Sequence, residues 1–454
     1  MAFEDMEFGY YTEAERKARL ALEHYENGKM AQALAELETA LTLNPASSAL
    51  HFNKALTLDA INRFEEALAE YEAALELDPS DIEIMNSLAV DYTRTGQYDR
   101  AIQVFELIEQ ADPAFEPCYC NRIITYTEMG LHDMAEQMFY LAQQVNSDCA
   151  LCYYNIGNSL FIRGEYKKAI HCWLKTAELE PTHPQINYRI AQAYWAHGEK
   201  ERARERFLME LRANPGDVDV VLDFGLFLLE LGDVESAKEK FNRILELRPG
   251  FAPALFYLGE IAFSIASYSQ AKDLFEQVIE SDSTLAGPRY RLAQYAIMQG
   301  QDRQAKEYLL QEMPLAPEDG SVLVSMGSML LAVGEIDSAI SCLLRAVSLD
   351  GGSAQGYYYL ALANALDGRL EIAAEFFRHC LDINPSDFRV LRDSAMIYLA
   401  MGRVSQASEQ LRQAKSLKGE DSLVQMLQRK VWLGRAKERI RDFFGRLRRQ
   451  MPVN

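Results

Sequence analysis

Catalytic signatures are missing from this 454-residue chain. It contains no G-x-x-x-x-G-K-[ST], no G-x-G-x-x-G, no G-x-S-x-G and no H-E-x-x-H. The phosphate-cradling loops, nucleophile elbows and paired metal ligands of common enzyme classes are therefore not expected, and neither is a cofactor. Basic residues are outnumbered, with 46 Lys and Arg against 67 Asp and Glu and a formal net charge of −21. That balance argues against nucleic-acid partners, because a phosphate backbone rewards clustered cations. Long apolar runs are lacking too. The longest candidate, residues 322–333, falls short of the roughly 18 uninterrupted residues that read as a membrane span. The opening stretch MAFEDMEFGYYTEAERK is acidic and has no charged-then-apolar signal pattern. Seven Cys in such a chain are expected as reduced thiols, not a disulfide framework, in a cytoplasmic protein.

What is present is repetition. Alanine returns every 34 residues at Ala33, Ala67, Ala101, Ala135, Ala169, Ala203, Ala237, Ala271, Ala305, Ala339, Ala373 and Ala407. Twelve occurrences without insertion or deletion exclude chance. The frames are 14–47, 48–81, 82–115, 116–149, 150–183, 184–217, 218–251, 252–285, 286–319, 320–353, 354–387 and 388–421. An acidic segment, 1–13, precedes them and a basic amphipathic segment, 422–454, follows. Each frame holds two segments with apolar spacing of three and four, the pattern of amphipathic helices. The turn between them is Gly in ten frames, with Asn62 and Ala266 in the other two. Position 8 is small everywhere except Ile123, and position 24 is bulky, as in Tyr71, Phe105, Phe139, Trp173 and Phe207. Pro closes eight of the frames at position 32. The seven His occupy seven different repeat positions, so they build no recurring constellation.

These residues resemble the tetratricopeptide repeat (TPR) family over 14–421. The resemblance implies an all-α, right-handed α-solenoid, a superhelix of about twelve 34-residue helical hairpins. The first helix of each pair would line a concave groove, and residues from 422 would supply a C-terminal capping helix. The chemistry implied is non-enzymatic, since the family is a scaffold serving many purposes. Positions 2, 5, 9 and 12 of each first helix would face the groove. There the sequence places Tyr154, Tyr188, Phe161 and Trp195, which offer large contact area at low entropy cost. The alternative for such aromatics is packing between successive first helices. Position 6 reads Asn53, Ser87, Asn121, Asn155 and Arg189 in units two to six, with Arg291 further on. Asn carries both a donor and an acceptor, and this run looks like the asparagine ladder in the TPR domain of O-linked N-acetylglucosamine transferases. Arg189 and Arg291 would favour acidic side chains in a client. The family's clamp for acidic chaperone tails is disfavoured, because around Asn155 only Arg189 of its cations survives.

Two features stand outside the scaffold pattern. Cys118-x-Cys120 and Cys149-x-x-Cys152 open neighbouring first helices, where four thiols would approach a tetrahedral metal arrangement. Small buried hydrophobes are the competing explanation, and no metal is the expectation. Residues 422–454 carry nine Lys/Arg against two Asp/Glu, leaving −28 on residues 1–421. Leu423, Met426, Leu427 and Val431 read as a capping stripe. The cations of 429–449 suit an anionic membrane surface or an acidic partner. The function expected is a protein-binding scaffold or adaptor holding extended polypeptide clients. The alternatives are a peripheral membrane-associated assembly factor and the substrate-recognition subunit of a separate enzyme.

Overall fold

The structure, a computed structural model, describes residues 12–418 and 421–431 and is all-α throughout them. The acidic residues 1–11 and the basic 432–454, with most of the 429–449 cations, lie outside the described residues. The described residues divide into two compact units, with the division between Phe224 and Gly225.

The first unit begins with α1 (Glu13–Glu26), α2 (Met30–Leu43), α3 (Ser48–Asp59) and α4 (Phe64–Leu77). It continues through α5 (Ile82–Arg94), α6 (Tyr98–Ala111), α7 (Glu116–Glu128) and α8 (His132–Val145). Then come α9 (Ala150–Ile162), α10 (Tyr166–Leu179), α11 (Ile186–His197) and α12 (Lys200–Ala213). The boundary falls within α13 (Val218–Glu230). The second unit holds α14 (Val234–Leu247), α15 (Ala252–Ser264), α16 (Tyr268–Ser281), α17 (Pro288–Met298) and α18 (Asp302–Glu312). It also holds α19 (Gly320–Ala332), α20 (Ile336–Leu349), α21 (Ala354–Leu366), α22 (Leu370–Ile383), α23 (Phe388–Ala400) and α24 (Val404–Leu417). A last helix, α25, spans 422–431.

Local chemistry sets where these helices start. Thr12 and Glu15 form a reciprocal capping box on α1, the Thr12 N–H donating to Glu15 Oε2 at 2.6 Å. Ser47, Asp81, Asp319, Ser353 and Asp387 cap later first helices through their side-chain oxygens. At the hairpin turns Asn62 and Ala266 adopt φ of 60°, the left-handed conformation taken by glycine elsewhere in the array.

Each hairpin closes on the pair formed by positions 8 and 24. A Cβ on Gly157 would lie 2.6 Å from Trp173 Cδ1, and one on Gly225 2.5 Å from Phe241 Cε1. Backbone and ring are therefore in direct contact, which only a very small residue permits. Ile123 shows the converse. It is fully buried, and the ring that should sit over it, Phe139, is only half-buried and packs edge-on against Tyr153 at 5.3 Å. Met138 is buried one residue earlier.

The capping stripe needs correction. Val424, Leu427 and Val431 are buried against Leu391, Val404 and Leu411 of the last hairpin, with Leu423 at the edge. Met426 is 45% exposed instead. Asp421 caps α25 by accepting from the Val424 N–H at 2.9 Å, and that start phases 424, 427 and 431 onto one face. No helix among the described residues is long and apolar enough to cross a membrane.

Candidate functional site

Successive first helices are tied by one recurrent contact, from position 5 of one unit to position 6 of the next. The Tyr188 hydroxyl donates to Asp223 Oδ2 at 2.7 Å, and the Tyr358 hydroxyl to Asp393 Oδ2 at 2.9 Å. Asn121 Nδ2 donates to Asn86 Oδ1 at 2.9 Å, and Asn155 Nδ2 to the Cys120 carbonyl at 3.3 Å. These side chains sit between helices because position 5 points at the following helix. Asn155 is 5% exposed and Tyr188 8%, so both spend their polar atoms inside the stack. Burial, followed by the Asp223 carboxylate, pushes the Tyr188 phenol well above its ordinary range. Tyr154 is half-buried and packs on the His183 ring at 4.4 Å.

The remaining residues singled out in the sequence fall into three settings. Asn53 is exposed and borders a small pocket with Leu22, Tyr25 and Leu56. Trp195 is half-buried against Phe207. Arg291 is committed, its guanidinium forking onto Glu260 at 2.6 and 2.5 Å while lying over the Phe263 ring.

Arg189 differs. Among the described residues it has no ion-pair partner, and its Nε has no hydrogen-bond partner. Its Nη1 donates to Gln192 Oε1 at 3.3 Å. It borders a pocket of about 240 Å³ with Asn155, Asn158, Phe161, Ile162 and Ile124. Trp173 closes the floor, held by its Nε1–H donating to the Tyr154 carbonyl at 3.1 Å. Ile162 is 63% exposed at the rim. The structure thus brings Asn155, Phe161 and Arg189 together and leaves Asn53, Trp195 and Arg291 elsewhere. Asn158, Ile124 and Ile162 were not picked out in the sequence. Their signal was the spacing, since Asn158 lies three residues beyond Asn155 on the same helix face.

The cysteines form a different group from the one expected. Cys120 and Cys152 are joined by a disulfide, with Cα atoms 5.2 Å apart, so the all-thiol expectation fails here. Cys149 Sγ lies 3.5 Å from Cys120 Sγ and accepts the Cys152 N–H at 3.1 Å. Cys118 is not in the cluster. It is fully buried and donates to the Phe105 carbonyl at 3.3 Å, two residues around the helix from Cys120. The fourth member is Glu116, one turn before Cys120. Burial, then the Glu116 carboxylate, pushes the Cys149 thiol up to about 12.

Family models for the tetratricopeptide repeat match residues 18–82, 54–114, 222–286, 325–388 and 364–431. A TPR repeat model matches 144–198, and one for YpiA-like, C-terminal tetratricopeptide repeats matches 184–250. The chain belongs to the tetratricopeptide-repeat family. TPR domains typically mediate protein–protein binding, and the family is generally non-catalytic. Among solved structures, a tetratricopeptide repeat protein from Parabacteroides merdae is 18% identical over 59% of this chain and 99% of its own, with a TM-score of 0.45. The Cut9–Hcn1 hetero-tetramer of the APC/C gives 16% identity over 92% and 90%, with a TM-score of 0.39. YrrB, described as a TPR protein with an unusual peptide-binding site, gives 18% over 42% and 99%, with a TM-score of 0.40. No curated protein sequence matches the chain.

Proposed function

We propose that this TPR chain is a non-enzymatic scaffold that holds an extended polypeptide segment against the first helices α7, α9 and α11. The observation that carries this is Arg189, a cation without an ion-pair partner among the described residues, at the edge of a pocket lined by apolar side chains, two amides, Thr127 and Glu128. Glu128 borders the same pocket and makes no ion pair with it among the described residues. A client carboxylate on Arg189 would satisfy the idle guanidinium, and Asn158 offers a donor and an acceptor to the client backbone. Phe161, Ile124 and Ile162 would take an apolar side chain beside it. The favoured client is therefore an extended segment with Asp or Glu flanked by apolar residues.

Selection from a displayed random-peptide library tests this, with binding of the enriched peptides measured by fluorescence anisotropy. The expected result is enrichment of acidic–apolar sequences. Arg189→Ala should weaken them about tenfold, the worth of one charge-assisted hydrogen bond. Replacing the peptide's carboxylate by its amide should cost wild type that factor and Arg189→Ala almost nothing. Enriched peptides whose binding ignores Arg189 would refute the site, as would a library that yields none.

A further inference from the structure

We propose that Glu116, Cys120, Cys149 and Cys152 form a binding site for one Zn²⁺ ion when the Cys120–Cys152 bond is reduced. The donor atoms of these four residues all lie within 4.8 Å of one another. A tetrahedral ion with Zn–S bonds of about 2.3 Å holds its sulfurs about 3.8 Å apart. Cys149 Sγ is already 3.5 Å from Cys120 Sγ, and Glu116 Oε1 is 3.8 Å from it. The Cys120–Cys152 edge is far shorter than an ion requires, because those sulfurs are bonded to each other. Cleaving that bond lets the two sulfurs separate to the spacing an ion requires.

The backbone supplies the arrangement from both sides. Glu116 and Cys120 are four residues apart on α7 and share a face. Cys149 caps α9 and Cys152 is in its first turn, with the Cys149 sulfur fixed by the Cys152 N–H. Asn146 Nδ2 donates to Glu116 Oε2 at 2.7 Å, which turns the other carboxylate oxygen towards Cys120. A partner of that kind orients a ligating carboxylate. Three thiolates and a carboxylate leave a bound Zn²⁺ site with net negative charge. The positive ends of two helix dipoles face that charge, since Glu116 is the first residue of α7 and Cys149 directly precedes α9. Sulfur donors select Zn²⁺ over the hard ions Mg²⁺ and Ca²⁺.

The repeat provides an internal control. Glu116 is the only charged residue among the twelve at its position, where Ala is commonest. Cys149 stands where seven of twelve units have Ser or Asp as the helix cap. Cys120 stands where six units have Phe or Tyr. Three departures from the pattern converge on one point. Cys118 and Cys152 both fill a place taken by Leu50, Ile84 and Val220 in other units, but Cys152 meets Cys120 whereas Cys118 donates to the Phe105 carbonyl and points away.

The test uses the full chain treated anaerobically with a water-soluble phosphine. The phosphine gives two electrons to the disulfide and becomes its oxide, with water supplying the oxygen and the two protons that leave both sulfurs as thiols. After the phosphine is removed, Co²⁺ alone is titrated in, followed by Zn²⁺. Binding releases the three thiol protons. The expected result is the intense visible absorption of tetrahedral thiolate-bound Co²⁺, saturating at about one equivalent and bleached by Zn²⁺. Cys118→Ser should match wild type. Cys149→Ser should lose the spectrum, and Glu116→Gln should weaken Co²⁺ binding about tenfold or more. Circular dichroism checks that the reduced chain keeps its helices. Reduced, helical wild type binding less than about a tenth of an equivalent overturns the proposal, as does wild-type-like binding by Cys149→Ser. Should Cys149→Ser fail to fold, an unchanged affinity in Glu116→Gln overturns the four-ligand assignment by itself.

Discussion

Gly157→Ala is expected to destabilise the first unit, although alanine is the better helix former. The added Cβ would meet Trp173 Cδ1 at 2.6 Å, and Trp173 is 1% exposed with nowhere to retreat. Overpacking of that kind costs about 1–3 kcal/mol. Turning the indole aside also breaks its hydrogen bond to the Tyr154 carbonyl, worth about 1 kcal/mol. Against this, replacing glycine within α9 returns about 1 kcal/mol of helix propensity. The balance is a loss of about 2 kcal/mol. The chain itself suggests the control, because Ala191 faces Phe207 and Ala89 faces Phe105 at the same two repeat positions, all fully buried. Trp173→Phe alone should cost stability by leaving space beside Gly157. The Gly157→Ala/Trp173→Phe double variant should then be more stable than the sum of the singles by about 1 kcal/mol or more. Urea unfolding followed by far-UV circular dichroism gives all four values without relying on the tryptophan signal. A Gly157→Ala protein as stable as wild type would refute the close-contact argument, and so would strictly additive singles.

Other positions give sharp expectations. Ala266 holds φ of 60°, so Ala266→Gly should stabilise its hairpin by about 0.5–1 kcal/mol in the same unfolding assay. Asp91 is buried beside Asp59, with Oδ2 unpartnered, and burial followed by that like charge raises its pKa to about 6. A carboxyl that holds its proton more tightly when folded loses stability as pH rises from about 4 to about 6. Asp91→Asn should therefore flatten that slope, read from urea midpoints across the pH range. Leu427→Ala should cost α25 about 2–3 kcal/mol of protection in hydrogen exchange. Met426→Ala, at an exposed site, should stay within about 0.5 kcal/mol of wild type in that experiment.

The 34-residue recurrence was enough to place the helices, because a spacing of three and four can bury its apolar stripe only as a helix against a neighbour. The small residue at position 8 and the ring at position 24 were legible as partners, and the structure puts them in contact at Gly157, Gly225 and Gly259. Phe139 was not, since its displacement follows from a side chain on the other helix, Ile123. The site was read only in part. Arg189, Phe161 and Asn155 do meet at one pocket, but the second stripe on a helix does not reveal which of its members turn inward. Tyr188 and Asn121 tie helix to helix because position 5 aims at the next unit, and Arg291 is taken by Glu260 from the preceding one.

The sequence by itself determined the repeat, the hairpins, their turns and caps, since each depends on residues within one 34-residue frame. The tertiary structure alone decided that Arg189 keeps no ion-pair partner among the described residues, and which cysteines meet. Both depend on the rotation of one helix about its axis relative to the next, where a two-residue step separates Cys118 in the core from Cys120 beside Cys149 and Glu116.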